Sequence, residues 1–208
     1  MKKWLIALLI IILTATVVSM PFAGNPVTRF KHYFAVKEYL DNKYNYTFTN
    51  LEIRYDWYTT GYHALSKVNE FPEIGTFKII INKDNSYRDY LCEAVWHAEL
   101  NESFIAQGKA LFNTDVKAEA VVMTDDTYHY VPSYADMLKG NHSIIANVSI
   151  DKTYSPKDLA DIYKLIDSAR EFKVNHMFIN FEGGVSFMLT DNSIYDIKTH
   201  QDILKYQR

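Results

Sequence analysis

Leu51-Glu52-Ile53-Arg54-Tyr55-Asp56 decides how the chain is read. Leu51, Ile53 and Tyr55 alternate with Glu52, Arg54 and Asp56. A period of two puts the apolar set on one face of a half-buried strand. Upstream the period is helical. Asn25-Pro26 starts a helix, with Asn as N-cap and Pro at the first position. That helix runs to about Lys43 and carries Val27, Phe30, Tyr33, Phe34, Val36 and Leu40 as a broad apolar stripe. Arg29, Lys31, Lys37 and Lys43 lie around the rest, either as a solvated face or as a contact for anionic headgroups.

Downstream, Thr59-Thr60-Gly61 is a short loop and Tyr62–Val68 the returning strand. After a loop at residues 70–75, Phe77, Ile79 and Ile81 alternate with Lys78, Ile80 and Asn82 as a third strand. Asn82–Ser86 is a turn and cap cluster. From Tyr87 a long helix is predicted, on Tyr87, Tyr90, Leu91, Ala94, Val95 and Ala98, with Gly108 as its stop. Residues 26–108 therefore read as an α-β-β-β-α unit, an antiparallel meander packed on two helical stripes.

A second small α/β unit with antiparallel strands follows. Val116–Thr124 is a strand, residues 124–131 a polar loop, 132–139 a short helix and Ser143–Ile150 an alternating strand. Ser155-Pro156-Lys157-Asp158 is a helix start, with Leu159, Ile162, Tyr163, Ile166 and Ala169 on the buried face. Met177–Phe181, Gly183-Gly184 and Val185–Leu189 read as a hairpin, with a last helix from Asp191. The fold class is α+β: an N-terminal transmembrane helix or signal segment over residues 1–24, then α+β domains over 25–112 and 113–208.

Trp4–Met20 is seventeen residues without a charge, behind Lys2 and Lys3. Through Gly24 the run is about 31 Å long as a helix, enough for a bilayer's hydrocarbon layer. Two readings stay open. Residues 4–24 are a retained anchor, or a signal cut near Val17-Val18-Ser19. Length, and apolar residues persisting to Phe22, favour the anchor. Lys2 and Lys3 keep the N-terminus cytoplasmic and the remainder outside. No cysteine follows the run, so it is not a lipid-modified anchor.

Composition limits the function. The net charge is −3, against a nucleic-acid binder. The chain is 48% hydrophobic, which suits a packed core, and 15% aromatic with sixteen Tyr and twelve Phe. One cysteine, Cys92, forms no internal disulfide. No phosphate-loop, dinucleotide-binding, zinc-protease or nucleophile-elbow motif is present.

The anchor runs into Gly24-Asn25-Pro26, then a helix ending Glu38-Tyr39-Leu40-Asp41-Asn42-Lys43-Tyr44, then Tyr55-Asp56-Trp57-Tyr58 and Gly61-Tyr62-His63-Ala64. This pattern resembles the YfjL-like small membrane-anchored proteins of Bacillus-type bacteria, over roughly residues 1–110 and more loosely beyond. The resemblance implies a cell-envelope protein with an α/β extracytoplasmic region. It implies no activity and no catalytic residues.

Candidate sites are each weighed against a plainer role. Glu93 and His97 share a helix face as an acid/base or metal pair, or as a solvated surface pair. Asp125, Asp126 and His129 share a loop, yet lack the spaced carboxylates of a calcium site. The histidines at 32, 63, 97, 129, 142, 176 and 200 have no zinc spacing. Cys92, beside Leu91, reads as a buried inert thiol. Tyr55, Trp57, Tyr58 and Tyr62 form an aromatic patch, as a peptide or glycan surface or as cross-strand packing. No catalytic, cofactor-binding or metal residues are assigned, and no cofactor. The expected partners are the membrane through residues 4–24 and an envelope protein or peptide, not nucleic acid. Three readings result: a non-enzymatic envelope binding module, an envelope hydrolase assembled from residues such as Asp56, His63 or His97, and a secreted, processed protein.

Overall fold

The computed structural model describes residues 4–6, 8, 14, 20, 23–124, 128–140 and 142–208. The chain divides into two compact units, Met1–Leu91 and Cys92–Arg208. Most of the apolar run at residues 4–24 lies outside the described residues. Among those described, no helix is long and apolar enough to cross a membrane.

Unit 1 starts with α1 (Pro26–Lys43), capped by Asn25, whose Oδ1 accepts from Val27 N at 2.9 Å and Thr28 N at 3.4 Å. Four antiparallel strands follow in the order of the chain: β1 (Phe48–Asp56), β2 (Gly61–Val68), β3 (Phe77–Ile81) and β4 (Tyr87–Asp89). The register aligns Ile53, Ala64, Ile79 and Asp89 in one row across the sheet, and Tyr55, Tyr62, Ile81 and Tyr87 in the next. Both rows share a face, because residues two apart on a strand point the same way. Val36 and Leu40 of α1 are buried with Ile53, Ala64 and Ile79.

Two expectations change here. The predicted α1 stripe was too broad: Val36 and Leu40 are buried, while Val27, Phe30 and Phe34 face solvent on the far side of the helix. The helix predicted from Tyr87 begins at Leu91 instead. Asn85 takes φ +62°, and Asn82 N donates to Ser86 O at 2.9 Å. That turn returns the chain onto β3, so Tyr87–Asp89 becomes a fourth strand. Tyr87 and Asp89 are also two apart, and the hairpin takes precedence over helical spacing.

Unit 2 contains α2 (Leu91–Phe112, apart from its first residue), β5 (Val116–Thr124), a short α3 (Tyr134–Met137), β6 (His142–Thr153), α4 (Leu159–Glu171), β7 (His176–Glu182), β8 (Ser186–Leu189) and α5 (Asp191–Asp196), closing on a 3-10 turn at His200–Tyr206. The two compact units divide at 91/92, whereas the sequence pattern places its domain border at 112/113. Trp96, Leu100, Phe104 and Phe112 of α2 pack into the same core as Ile144, Ile166 and Ile179. Gly108 does not stop α2. It sits inside the helix where a Cβ would lie 2.7 Å from Val116 Cγ1. Its lack of a side chain lets helix and strand approach closely.

The sheet order is β5-β6-β7-β8. β5–β6 and β7–β8 are antiparallel as expected, but β6–β7 is parallel. The cause is α4: a helix between two strands carries the chain back to the starting edge, so they pair in the same direction. Ser155 and Asp158 form the predicted capping box ahead of α4, and Lys152 pairs with Asp158 at 2.8 Å. Leu159, Ile162, Leu165, Ile166 and Ala169 are buried, with Tyr163 half-buried.

Candidate functional site

In unit 1 the aromatic group divides in two. Gly24 takes φ +75°, and a Cβ there would lie 2.7 Å from both Tyr55 Cγ and Tyr62 Oη. Asn25 N donates to Tyr62 Oη at 2.7 Å, and Arg29 Nη2 donates to Ala23 O at 3.1 Å. Tyr55 and Tyr62 thus form the seat for the chain's own elbow. Trp57 and Tyr58, at the β1–β2 tip, stay exposed with ring centroids 3.8 Å apart.

The other sequence candidates are engaged locally. Asp56 accepts from Tyr58 N and Thr59 Oγ1, each at 3.0 Å, and these hydrogen bonds hold its pKa below the usual carboxylate range. His63 pairs across the sheet with Arg54 and Ile80. His97 belongs to unit 2, and its Nε2–H donates to Val122 O at 3.1 Å. Burial lowers its pKa, against the opposing pull of that hydrogen bond. Glu93 is buried rather than solvated. Cys92 is buried, with Sγ 3.7 Å from Tyr130 O. His129 is exposed, while Asp125 and Asp126 lie outside the described residues. Among the described residues no group of His, Cys, Asp and Glu could hold a metal.

A charged side chain not singled out above organises unit 1. Asp89 lies buried at the end of the Ile53–Ala64–Ile79 row, facing α1. It accepts from Tyr39 Oη at 2.6 Å, Lys43 Nζ at 2.7 Å and Tyr44 Oη at 2.8 Å. Burial pushes its pKa up, and these donors outweigh burial and leave it lowered. The role is structural: it fastens the end of α1 to β4.

A concavity lies in unit 2. A cleft of about 650 Å³ opens at the C-terminal ends of β6 and β7 and the start of β5. Parallel strands end together there, leaving a crevice flanked by loops. Asp115 and Lys117, Ser149 and Asp151, and Asn180 and Glu182 line it from the three strands, with Lys109 from α2. Lys109 pairs with Asp115 at 3.2 Å on the rim. The neighbouring Asp151 carboxyl, through hydrogen bonding and charge repulsion, raises the pKa of Glu182. No motif marks them. The available signal was two carboxylates, each next after a buried strand residue, on either side of one helix.

Comparison of the chain with family models, with characterised proteins and with solved structures finds no match.

Proposed function

We propose that this chain is a single-pass, membrane-anchored binding module of the bacterial cell envelope, its N-terminus cytoplasmic and both units outside. The observation that carries binding is the cleft at the ends of β6 and β7. Its volume falls within the ordinary range for small-ligand sites, and its polar groups converge from three strands. Hydroxyl-, amide- and amine-bearing groups suit it, because Asp151 and Glu182 accept, Lys117 donates and Ser149 and Asn180 do both. Sugar–peptide fragments of the cell wall have that chemistry. The apolar residues 4–24 behind Lys2 and Lys3, and the resemblance to YfjL-like proteins, support the location.

A second reading is an envelope hydrolase, favoured by the two carboxyls of Asp151 and Glu182 in the cleft, the latter with a raised pKa. One experiment separates the readings. Full-length protein in lipid nanodiscs is heated with soluble disaccharide–peptide fragments, and the mixture is analysed for products. A raised melting midpoint, lost in Asp151→Asn and Glu182→Gln, with no new product, is expected of a binding module. Product that disappears in Glu182→Gln supports the hydrolase. A midpoint unmoved by the fragments ends the proposed ligand class. Fractionation and protease shaving of wall-stripped cells test the location.

A further inference from the structure

Four apolar or aromatic side chains of unit 1 stand in solvent near the elbow: Val27 is 62% exposed, Phe30 64%, Phe34 53% and Tyr58 80%. Trp57 stacks on Tyr58 at the tip of the β1–β2 hairpin. Val27, Phe30 and Phe34 are spaced i, i+3 and i+7, so they form one stripe on α1 opposite Val36 and Leu40. Phe30 and Phe34 touch edge to face, with centroids 4.8 Å apart. Scattered exposed apolar residues need no explanation, but two exposed aromatic pairs, Phe30–Phe34 on α1 and Trp57–Tyr58 at the hairpin tip, do. Lys31 stands beside the stripe, exposed.

The elbow limits what can cover this group. Gly24 N donates to Met20 O at 2.9 Å, so a helical turn ends there with Gly24 in the left-handed conformation. The next amide, Asn25 N, is bonded to Tyr62 Oη, and Tyr55 leaves Gly24 no room for a Cβ. No free linker separates the end of the apolar segment from unit 1. Phe30 lies six residues beyond Gly24, about 9 Å along a helix at 1.5 Å per residue. The Tyr55–Tyr62 pair that seats the elbow is also the base of the Trp57–Tyr58 tip.

We propose that this end of unit 1 rests in the headgroup zone of the bilayer that holds residues 4–24, with Phe30, Phe34, Trp57 and Tyr58 in the interface and Lys31 against anionic headgroups. The proposal rests on the anchored reading. Trp, Tyr and Phe favour that zone because an apolar ring and a wet edge are both accommodated, and nearby cations gain from anionic lipid.

The test uses full-length protein in vesicles of equal parts phosphatidylethanolamine and phosphatidylglycerol. Nitroxide labels are placed one at a time at Ile12→Cys, Phe34→Cys, Tyr58→Cys and Lys67→Cys, and relaxation by oxygen is compared with relaxation by a water-soluble nickel complex. Lys67 lies at the other end of β2 and serves as the aqueous reference. A severalfold higher oxygen-to-nickel ratio at 34 and 58 than at 67 is expected. Adding Phe30→Ser and Trp57→Ser in the Tyr58→Cys protein should return position 58 to the Lys67 value while position 12 stays deep. If position 12 is deep and 34 and 58 match 67, the interfacial proposal is overturned and the anchor stands. If position 12 is itself in water, the anchored reading fails and the proposal with it.

Discussion

Asp89 is one carboxylate that fastens α1 to β4, and its loss would be felt across unit 1. Asp89→Asn leaves the Lys43 ammonium, 11% exposed, without its counter-charge. Breaking a buried pair from one side costs about 3–5 kcal/mol, a large part of the stability of a unit this size. Amide hydrogen exchange should show β3, β4 and the end of α1 losing protection together. The pH dependence follows from the lowered pKa. The folded chain holds this proton less tightly than the unfolded one. Its stabilisation is therefore complete above the ordinary carboxylate range near pH ~4, and is lost as pH falls through the lower folded value. In Asp89→Asn that acid limb should flatten. Glu182 has the opposite sign. Its raised pKa means that its proton favours the fold at low pH, and the contribution fades as pH rises through the raised value. A carboxyl titration by nuclear magnetic resonance should place the Glu182 midpoint above the ordinary Glu range, and Asp151→Asn should bring it down. Neither residue was legible as a partner in the sequence. Asp89 and Lys43 are forty-six positions apart and meet only when four strands are in register. Asp151 and Glu182 meet only because β6 and β7 run parallel.

At the scale of elements, patterning and capping located most boundaries. The period-two runs at 77–81 and 116–124, the Asn25-Pro26 start and the Ser155–Asp158 cap all fall where the structure has them. Errors arose where two periods shared the same residues or where a glycine had two uses. Tyr87 and Tyr90 fit a helix, yet Tyr87 and Asp89 fit a strand, and the turn at Asn82–Ser86 decides between them. Gly108 reads as a helix stop, but it is a contact point with Val116. Gly108→Ala gains up to about 1 kcal/mol in helix propensity and loses about 1–3 kcal/mol to overpacking. A net loss is expected, because Val116 Cγ1, Cγ2 and Cβ all lie within 3.2 Å of the new atom. Chemical denaturation of the Gly108→Ala/Val116→Ala pair should show less loss than the sum of the single changes. The outer edge of β8 is covered in a similarly local way. Arg208 N donates to Ser186 O at 2.8 Å, and Phe187 bridges Gln207. Removing residues 205–208 would bare that edge. Since an unpaired edge recruits other strands, the truncated chain should self-associate in sedimentation while the intact chain does not.

At the scale of the whole chain, the two units differ in how far apart in sequence their contacts lie. In unit 1 each strand pairs with the next, and the Asp89 clasp uses nothing beyond Leu91. In unit 2, β6 must wait for α4 before it meets β7, and β8 pairs with Gln207 and Arg208 far along the chain. The sequence pattern leaves α2 open to either sheet, because its apolar residues can pack on whichever sheet it joins. Only its packing, with Trp96 and Phe104 beside Ile166 and Ile179, assigns it to the later unit. The Asp89 clasp then has a consequence for how the protein is made. Synthesis runs from the N-terminus at roughly 5–20 residues per second, so the Asp89 clasp and all four strands of the first sheet emerge while the rest is still to come. Unit 1 can close around Asp89 during elongation, and the slower sheet assembles afterwards beside a finished neighbour rather than competing with it for strands.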